Sequence, residues 1–274
     1  MVIHSNLISE GLDDILHTVL SEGDSDLLVV NPTADTIETL VSVATAFDGE
    51  LPTLRVVADE SILKDVVDDF IVASNAADLV DEGVLSLKTG IGTEKNSLVV
   101  TKRSVLSLVT TDERVAALAT DDEAFVDSAY ESYTAAWEQA SAFNLRTPSI
   151  SVVRGSLETD ISPEVRTDFD TVLSSLQTAR GNGQGLDEVT ISLLVAAKND
   201  VLLYDISKWG EDIGIASKAT FSRTKTKLED MGLIDTEKVP IDVGRPRLRL
   251  KLGDDRLRQA DADQLAGVAQ TLLT

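Results

Sequence analysis

The sequence predicts an α/β N-terminal sensor-like domain followed by a C-terminal winged helix-turn-helix of the α+β class. Three observations carry this. Short β-rich runs alternate with helical patterns through the first half of the chain, as in layered α/β folds. Between Ile206 and Leu252 two helical patterns meet at a glycine and lead into two alternating strands. Positive charge gathers in that same stretch: Lys218 to Lys251 holds nine bases against five acids, a local +4 in a chain of formal net charge -23. A basic stripe on an acidic protein is the electrostatic footprint of a polyanion site.

Bulk properties bound the answer. At 274 residues, 43% of them hydrophobic, the chain can build two cores and is not globally disordered. Its acidic, lysine-poor surface suits a halophile's cytoplasm of very high salt, where self-repulsion is screened; the alternative is an ordinary acidic protein. The chain has no cysteine, which excludes disulfides, thiolate catalysis and cysteine zinc sites. His4 and His17 are the only histidines, so a histidine-rich metal centre is not expected; no metal and no cofactor are expected. Met1 to Asn6 lacks the charged start of a signal peptide, and no stretch approaches the roughly 18 apolar residues of a membrane span. A soluble, cytoplasmic protein without membrane contact is expected.

Along the chain, Ile3 to Leu20 reads as an opening helix and Leu27 to Val30 as a buried strand ended by Asn31 and Pro32. Ile37, Leu40, Val41, Ala44 and Phe47 recur at helical spacing. Leu54 to Ala58 is a second strand, Ile62 to Val80 a second helix, and Val84 to Leu87 a short third strand. Leu98 to Val100 and Val105 to Val109 flank Lys102 and Arg103 as a hairpin. Ala124 to Phe143 is a long helix with Phe125, Ala129, Tyr133, Trp137 and Ala140 on one stripe, expected to be core.

Pro163 suits the first turn of a helix that continues through Val165, Phe169, Val172, Leu173 and Leu176. Gly181 to Gly185 is a flexible break. The domains are therefore placed at 1–156 (sensor, without a catalytic motif), 157–185 (linker helix and break), 186–253 (winged helix-turn-helix) and 254–274 (a C-terminal helix). The subunit contact of a homodimer is left between Pro163–Leu176 and the last helix, with its Leu265, Val268, Leu272 and Leu273.

In the C-terminal domain, Val189 to Ala197 gives a first helix, Ile206 to Ile213 a second, and Gly214-Ile215 the turn. Ser217 is placed to cap a third helix, and Gly232 to end it in the left-handed conformation. Phe221 and Leu228, seven apart, face inward, with Thr224 between them. Lys218, Thr220, Ser222, Arg223, Lys225, Thr226 and Lys227 then occupy the outer surface, where cations and hydroxyls suit the major groove of double-stranded DNA. In the return strand Arg245, Arg247, Arg249 and Lys251 share one face, and Leu248, Leu250 and Leu252 the other. Arg245 stands at the wing tip, in a Gly-Arg-Pro-Arg sequence like the arms that enter the minor groove. Contacts to phosphate weaken in molar salt, and pairing two half-sites through a dimer is the usual remedy.

Ser217-Lys218-Ala219-Thr220-Phe221-Ser222-Arg223, Leu228-Glu229-Asp230-Met231-Gly232-Leu233-Ile234 and Gly244-Arg245-Pro246 resemble winged-helix regulators of archaea and bacteria. Over its whole length the chain is similar to the haloarchaeal TbsP family of transcriptional regulators. That resemblance implies a role beside the sugar-metabolism regulator TrmB, with glycolytic and gluconeogenic genes as targets. The first domain resembles phospholipase D-like sensor folds of sugar-responsive regulators. Their catalytic relatives need a His-x-Lys motif with a following Asp; here Asn96-Ser97-Leu98 stands where it would fall, so a hydrolase is not expected.

For an effector such as a sugar phosphate, the candidate residues are Gly90, Gly92, Thr93, Lys95, Lys102 and Arg103, which could form a nest of amides with cations near it in sequence. A plain surface loop is the alternative, because a lone Gly-x-Gly lacks the full phosphate-loop spacing. The leading function is a sequence-specific DNA-binding regulator of carbon and sugar metabolism. The alternatives are an adaptor that binds another regulator, with DNA contact secondary, and an enzyme with a DNA-binding appendage. No nucleophile–base pair or metal cluster favours the enzyme.

Overall fold

The computed structural model describes residues 7–9, 11–22, 25–90, 96–111, 114–180, 186–241 and 246–273. The chain divides into two compact units, Met1–Val67 with Asn75–Leu145, and Asp68–Ser74 with Arg146–Thr274.

In chain order the first part runs β1 (Leu7–Ser9), α1 (Leu12–Ser21), β2 (Asp26–Val30), α2 (Ala34–Thr45), β3 (Thr53–Ala58), α3 (Glu60–Val66), α4 (Phe70–Asp81), β4 (Leu85–Thr89), β5 (Leu98–Val100), β6 (Val105–Thr110), β7 (Val115–Thr120), α5 (Glu123–Gln139) and β8 (Ser141–Ala142). The strands form one sheet in the order β1-β7-β6-β5-β2-β3-β4-β8. β2, β3 and β4 are parallel; the other pairs are antiparallel. Leu27 to Val30 is buried at every residue, as a central strand covered on both faces must be. Leu28, Val30, Val57, Val100 and Val105 meet Val126 and Trp137 of α5 on one face. Leu27, Val29 and Val56, with opposite pleat, are buried as well.

Three sequence expectations are corrected and one strand is added. The opening helix begins only at Leu12, because Gly11 is extended and Leu7–Ser9 before it pairs with β7. The helix expected over Ile62–Val80 is two. Buried Asp69 breaks it, its carboxylate accepting from the Ile71 amide and from Thr178 and Ala179. The helix expected to reach Phe143 stops at Gln139, where Ser141 and Ala142 join β4. β7 is absent from the sequence reading, since an alanine-rich strand carries little β signal.

The second unit comprises α6 (Ile150–Ser156), a π-helical turn (Leu157–Ile161), α7 (Pro163–Ser174), α8 (Glu188–Lys198), α9 (Leu203–Asp212), α10 (Lys218–Asp230), β9 (Ile234–Val239), β10 (Arg247–Leu252), α11 (Asp255–Gln259) and α12 (Ala262–Leu273). α8 is buried at every residue from Val189 to Ala197, which makes it the central post of this unit. Ile150, Val153 and Leu157 enter the same core, so the second unit starts at Arg146, ahead of the boundary at 156 read from periodicity. Pro163 opens α7, capped by Ser162 accepting from the Val165 amide. Gly181 to Gly185 lie outside the described residues.

Candidate nucleic-acid interface

Three helices and a hairpin position the basic residues. α9 and α10 pack so closely that a Cβ on Gly210 would stand 2.4 Å from the Phe221 ring, so only glycine fits the crossing. The turn between them carries Gly214 at φ +88°, and Gly232 ends α10 at φ +75°. Ser217 accepts from the Thr220 amide (3.2 Å), the cap its hydroxyl suits. β9 and β10 form the wing, with Arg247 opposite Val239 and Arg249 opposite Glu237. An isolated bridge between Leu202 and Arg249 ties the entry of α9 to β10.

α10 presents Ser222, Arg223, Thr226 and Lys227 outward, and all four are exposed. Arg223 reaches Thr220 Oγ1 (3.4 Å). Among the described residues neither Arg223 nor Lys227 has a carboxylate partner. Lys225 is a correction. It is 8% exposed, and its ammonium meets Glu229 Oε2 at 2.6 Å while Glu229 Oε1 accepts from Thr236 of β9 (2.7 Å). Four residues after Phe221 and three before Leu228, it shares their inward face. It joins α10 to the wing and does not point outward. The helical spacing in the sequence already carries this signal.

Four more bases, Lys218, Arg247, Arg249 and Lys251, are held by the protein's own acids. Lys218 Nζ pairs with Glu211 Oε2 (2.6 Å), and that hydrogen bond raises the lysine above its ordinary value and holds the Glu211 carboxyl below its own. Arg247 lies 4.3 Å over the Tyr204 ring and 3.5 Å from Asp205 Oδ1. Arg249 stands 3.7 Å from Glu237, and Lys251 2.7 Å from Asp200. Leu250 and Leu252 on the opposite pleat are buried. The wing is thus a basic face already carrying carboxylates, which phosphates would have to displace. Asp200, Tyr204, Asp205 and Glu211 lie before the basic stretch, and Glu237, which lies within it, meets Arg249 only through the β9–β10 register, so sequence reasoning missed these partners. Arg245 lies outside the described residues.

The described effector residues, Gly90, Lys102 and Arg103, do not come together. Gly90 follows β4, at the C-terminal ends of the parallel strands, whereas Lys102 and Arg103 sit in the β5–β6 turn beside the N-terminal end of β2. Lys102 lies 5.9 Å over the Tyr130 ring, and Arg103 Nη2 donates to the Glu22 carbonyl (2.6 Å). Gly92, Thr93 and Lys95 fall outside the described residues.

Comparison with known families now decides the class. A model of the N-terminal part of TbsP-like transcriptional regulators matches residues 4–148, and one of their C-terminal HTH domain matches 149–270. The chain belongs to the TbsP-like family of transcriptional regulators. Its second unit carries the family's C-terminal HTH domain. Among solved structures it is similar to TrmBL2, described as an archaeal chromatin protein with a novel mode of DNA binding. That match has 12% identity and a TM-score of 0.36, over 52% of this chain and 55% of that one. NucT from Helicobacter pylori matches at 12% identity and TM-score 0.35, over 51% of this chain and 99% of that one. No curated protein matches the TbsP-like chain. Among its described residues no helix is long and apolar enough to cross a membrane, and no metal-ligating cluster occurs.

Proposed function

We propose that this TbsP-like regulator is a non-enzymatic, sequence-specific DNA-binding protein that controls carbon and sugar-metabolism genes as a homodimer in a high-salt cytoplasm. The observation that carries the DNA assignment is the outward row Ser222, Arg223, Thr226 and Lys227 on α10, whose two cations face solvent without a carboxylate partner. Ser217, Lys218 and Thr220 at the start of the helix, and Arg247 and Arg249 on the wing, complete the proposed contact set. α10 enters the major groove, Arg223 reads a base edge, and the wing follows the adjacent backbone. The net charge of -23 supports the high-salt setting, where few phosphate contacts survive and base contacts must supply selectivity.

The first unit senses a metabolite and changes the affinity of the second for DNA. An open cleft of about 910 Å³ in the first unit supports this role. Genome-wide chromatin binding of the tagged protein, in cells grown with and without sugar, tests the whole reading. Discrete promoter peaks that change with carbon source are expected. No enrichment in either condition would overturn it.

A further inference from the structure

The cleft of the first unit is built from a helix flank that a packed interface would not use. α5 lays Val126 and Trp137 on the sheet with Ala129 packed beside them, but the rest of that flank carries Ser128, Ser132 and Ala136, with Ala140 just past the helix end. Side chains of that size leave space where leucine or isoleucine would fill it. The floor is the same face of the sheet farther along, where Ser107 of β6 and Leu118 of β7 pair across the strands without a helix above them. Leu118 remains 48% exposed and Phe125 55%, so the rim is apolar and open.

Location and chemistry both favour a small ligand. The cleft opens at Val30-Asn31, Val57 and Thr89, the carboxyl ends of three parallel strands, where open α/β sheets bind their ligands. Asn31 holds a positive φ of 48° at that edge. Its volume lies toward the upper end of the roughly 300–1,000 Å³ of small-molecule sites. Hydroxyls and amides of Asn31, Ser107, Thr120, Ser128, Ser132 and Gln139 stand among its apolar and aromatic groups. Among the described residues none that lines it is charged. Two cations close by in sequence and sheet are engaged elsewhere. Lys88 Nζ donates to the Trp137 carbonyl (2.9 Å) and lies 4.7 Å over that ring, and the Arg55 guanidinium forks onto Asp26.

We infer that this cleft binds an uncharged, polyhydroxylated molecule of one or two rings, a neutral sugar or a nucleoside, and not its phosphate ester. The inference rests on the proposed sensing role of the first unit. Hydroxyls and amides take the ligand's hydroxyls, and Phe125 and Tyr133 take the apolar face of its ring. Among the described residues that line the cleft, a phosphate dianion would lose hydration without gaining a cation.

The test is calorimetric titration of the full chain in 2 M KCl, chosen as roughly the ionic strength at which an acidic surface is screened. The probes are glucose, fructose, adenosine and uridine, each beside its monophosphate. At least one neutral probe should bind at least about tenfold more tightly than its phosphate, a gap of about 1.4 kcal/mol. The sugar and nucleoside arms identify which source is used. Ala136→Leu and Ser132→Leu, which fill the cleft from an exposed flank, should each weaken that binding about tenfold or more without lowering Tm. Tighter binding of the phosphates, or binding untouched by both fillings, would overturn the inference and leave the sensing role standing. If no probe binds, the inference fails. The small-molecule fraction of a cell extract then decides the broader reading: a shift in operator affinity preserves sensing, and no shift ends it. A dimer that dissociates on Leu118→Ser and Phe125→Ser would give the cleft to a second copy and also overturn the inference.

Discussion

Neutralising the wing's own acids should strengthen DNA binding. In the double variant Asp205→Asn/Glu237→Gln, Arg247 and Arg249 lose carboxylates at 3.5 and 3.7 Å. Both acids are about half exposed, so each pair is worth about 0–1 kcal/mol, which a phosphate must at present repay on binding. Removing both should tighten binding by up to about 1 kcal/mol per site, or up to about thirtyfold together if the effects add. Each freed arginine that reaches a phosphate adds about 0.9 to the log-log salt slope, so the slope should steepen by up to about 1.8. Fluorescence anisotropy of labelled duplexes over a KCl series reads both quantities. Asp48→Asn/Glu50→Gln, two exposed acids of the first unit, makes the same change in net charge and should leave both nearly unchanged. Equal gains in the two variants would mean that only net charge acts. Weaker binding by the wing variant would refute the reasoning, because it would mean that the carboxylates pose the arginines for DNA.

Three further outcomes follow from the packing. Lys225→Met keeps the buried stem but strands Glu229, and should cost about 1–3 kcal/mol of stability in denaturant titration, while folded protein retains its DNA affinity. Loss of affinity without loss of stability would return Lys225 to the DNA surface. Gly210→Ala forces a Cβ against the Phe221 ring and should cost about 1–3 kcal/mol, seen as a lower Tm; an unchanged Tm would contradict the close crossing of α9 and α10. Burial, with help from Asp187 and Asp68, raises the Glu188 carboxyl above its ordinary value. The folded state therefore takes up this proton more readily than the unfolded chain, and the charged form costs stability above the raised value. Glu188→Gln should raise Tm at pH 7, with the gain shrinking as pH falls through the ordinary carboxylate range. A gain independent of pH would contradict the assignment.

Much of this architecture is legible in local spacing. The helix-turn-helix and its wing follow from the Ser217 cap, the positive-φ glycines 214 and 232, and leucines alternating with bases from Arg247 to Leu252. The three parallel strands follow from continuous apolar runs. Apart from the weak β signal of β7 and the inward register of Lys225, which is local, the misses share one cause: they depend on partners distant in sequence. Asp69 interrupts a helical pattern because residues 178–180 give its carboxylate partners. α7 and α12, each read as a possible subunit contact, turn Val165 and Phe169, and Leu265, Ala266 and Ala269, into their own unit's core. The aromatic stripe of α5 splits in the same way. Trp137 is core as expected, but Phe125 and Tyr133 line a cleft, because whether an apolar face is filled or left open depends on the opposing strand.

The central claim, that α10 reads DNA through its outward face, is tested most directly by Arg223→Ala on a duplex selected in vitro by the wild-type protein. Anisotropy titration of that duplex and of a scrambled one, at fixed salt, gives the specificity ratio for each protein. The account predicts that Arg223→Ala loses about 1–3 kcal/mol on the selected duplex and far less on the scrambled one, with Tm unchanged. Equal affinity of variant and wild type for the selected duplex would contradict it.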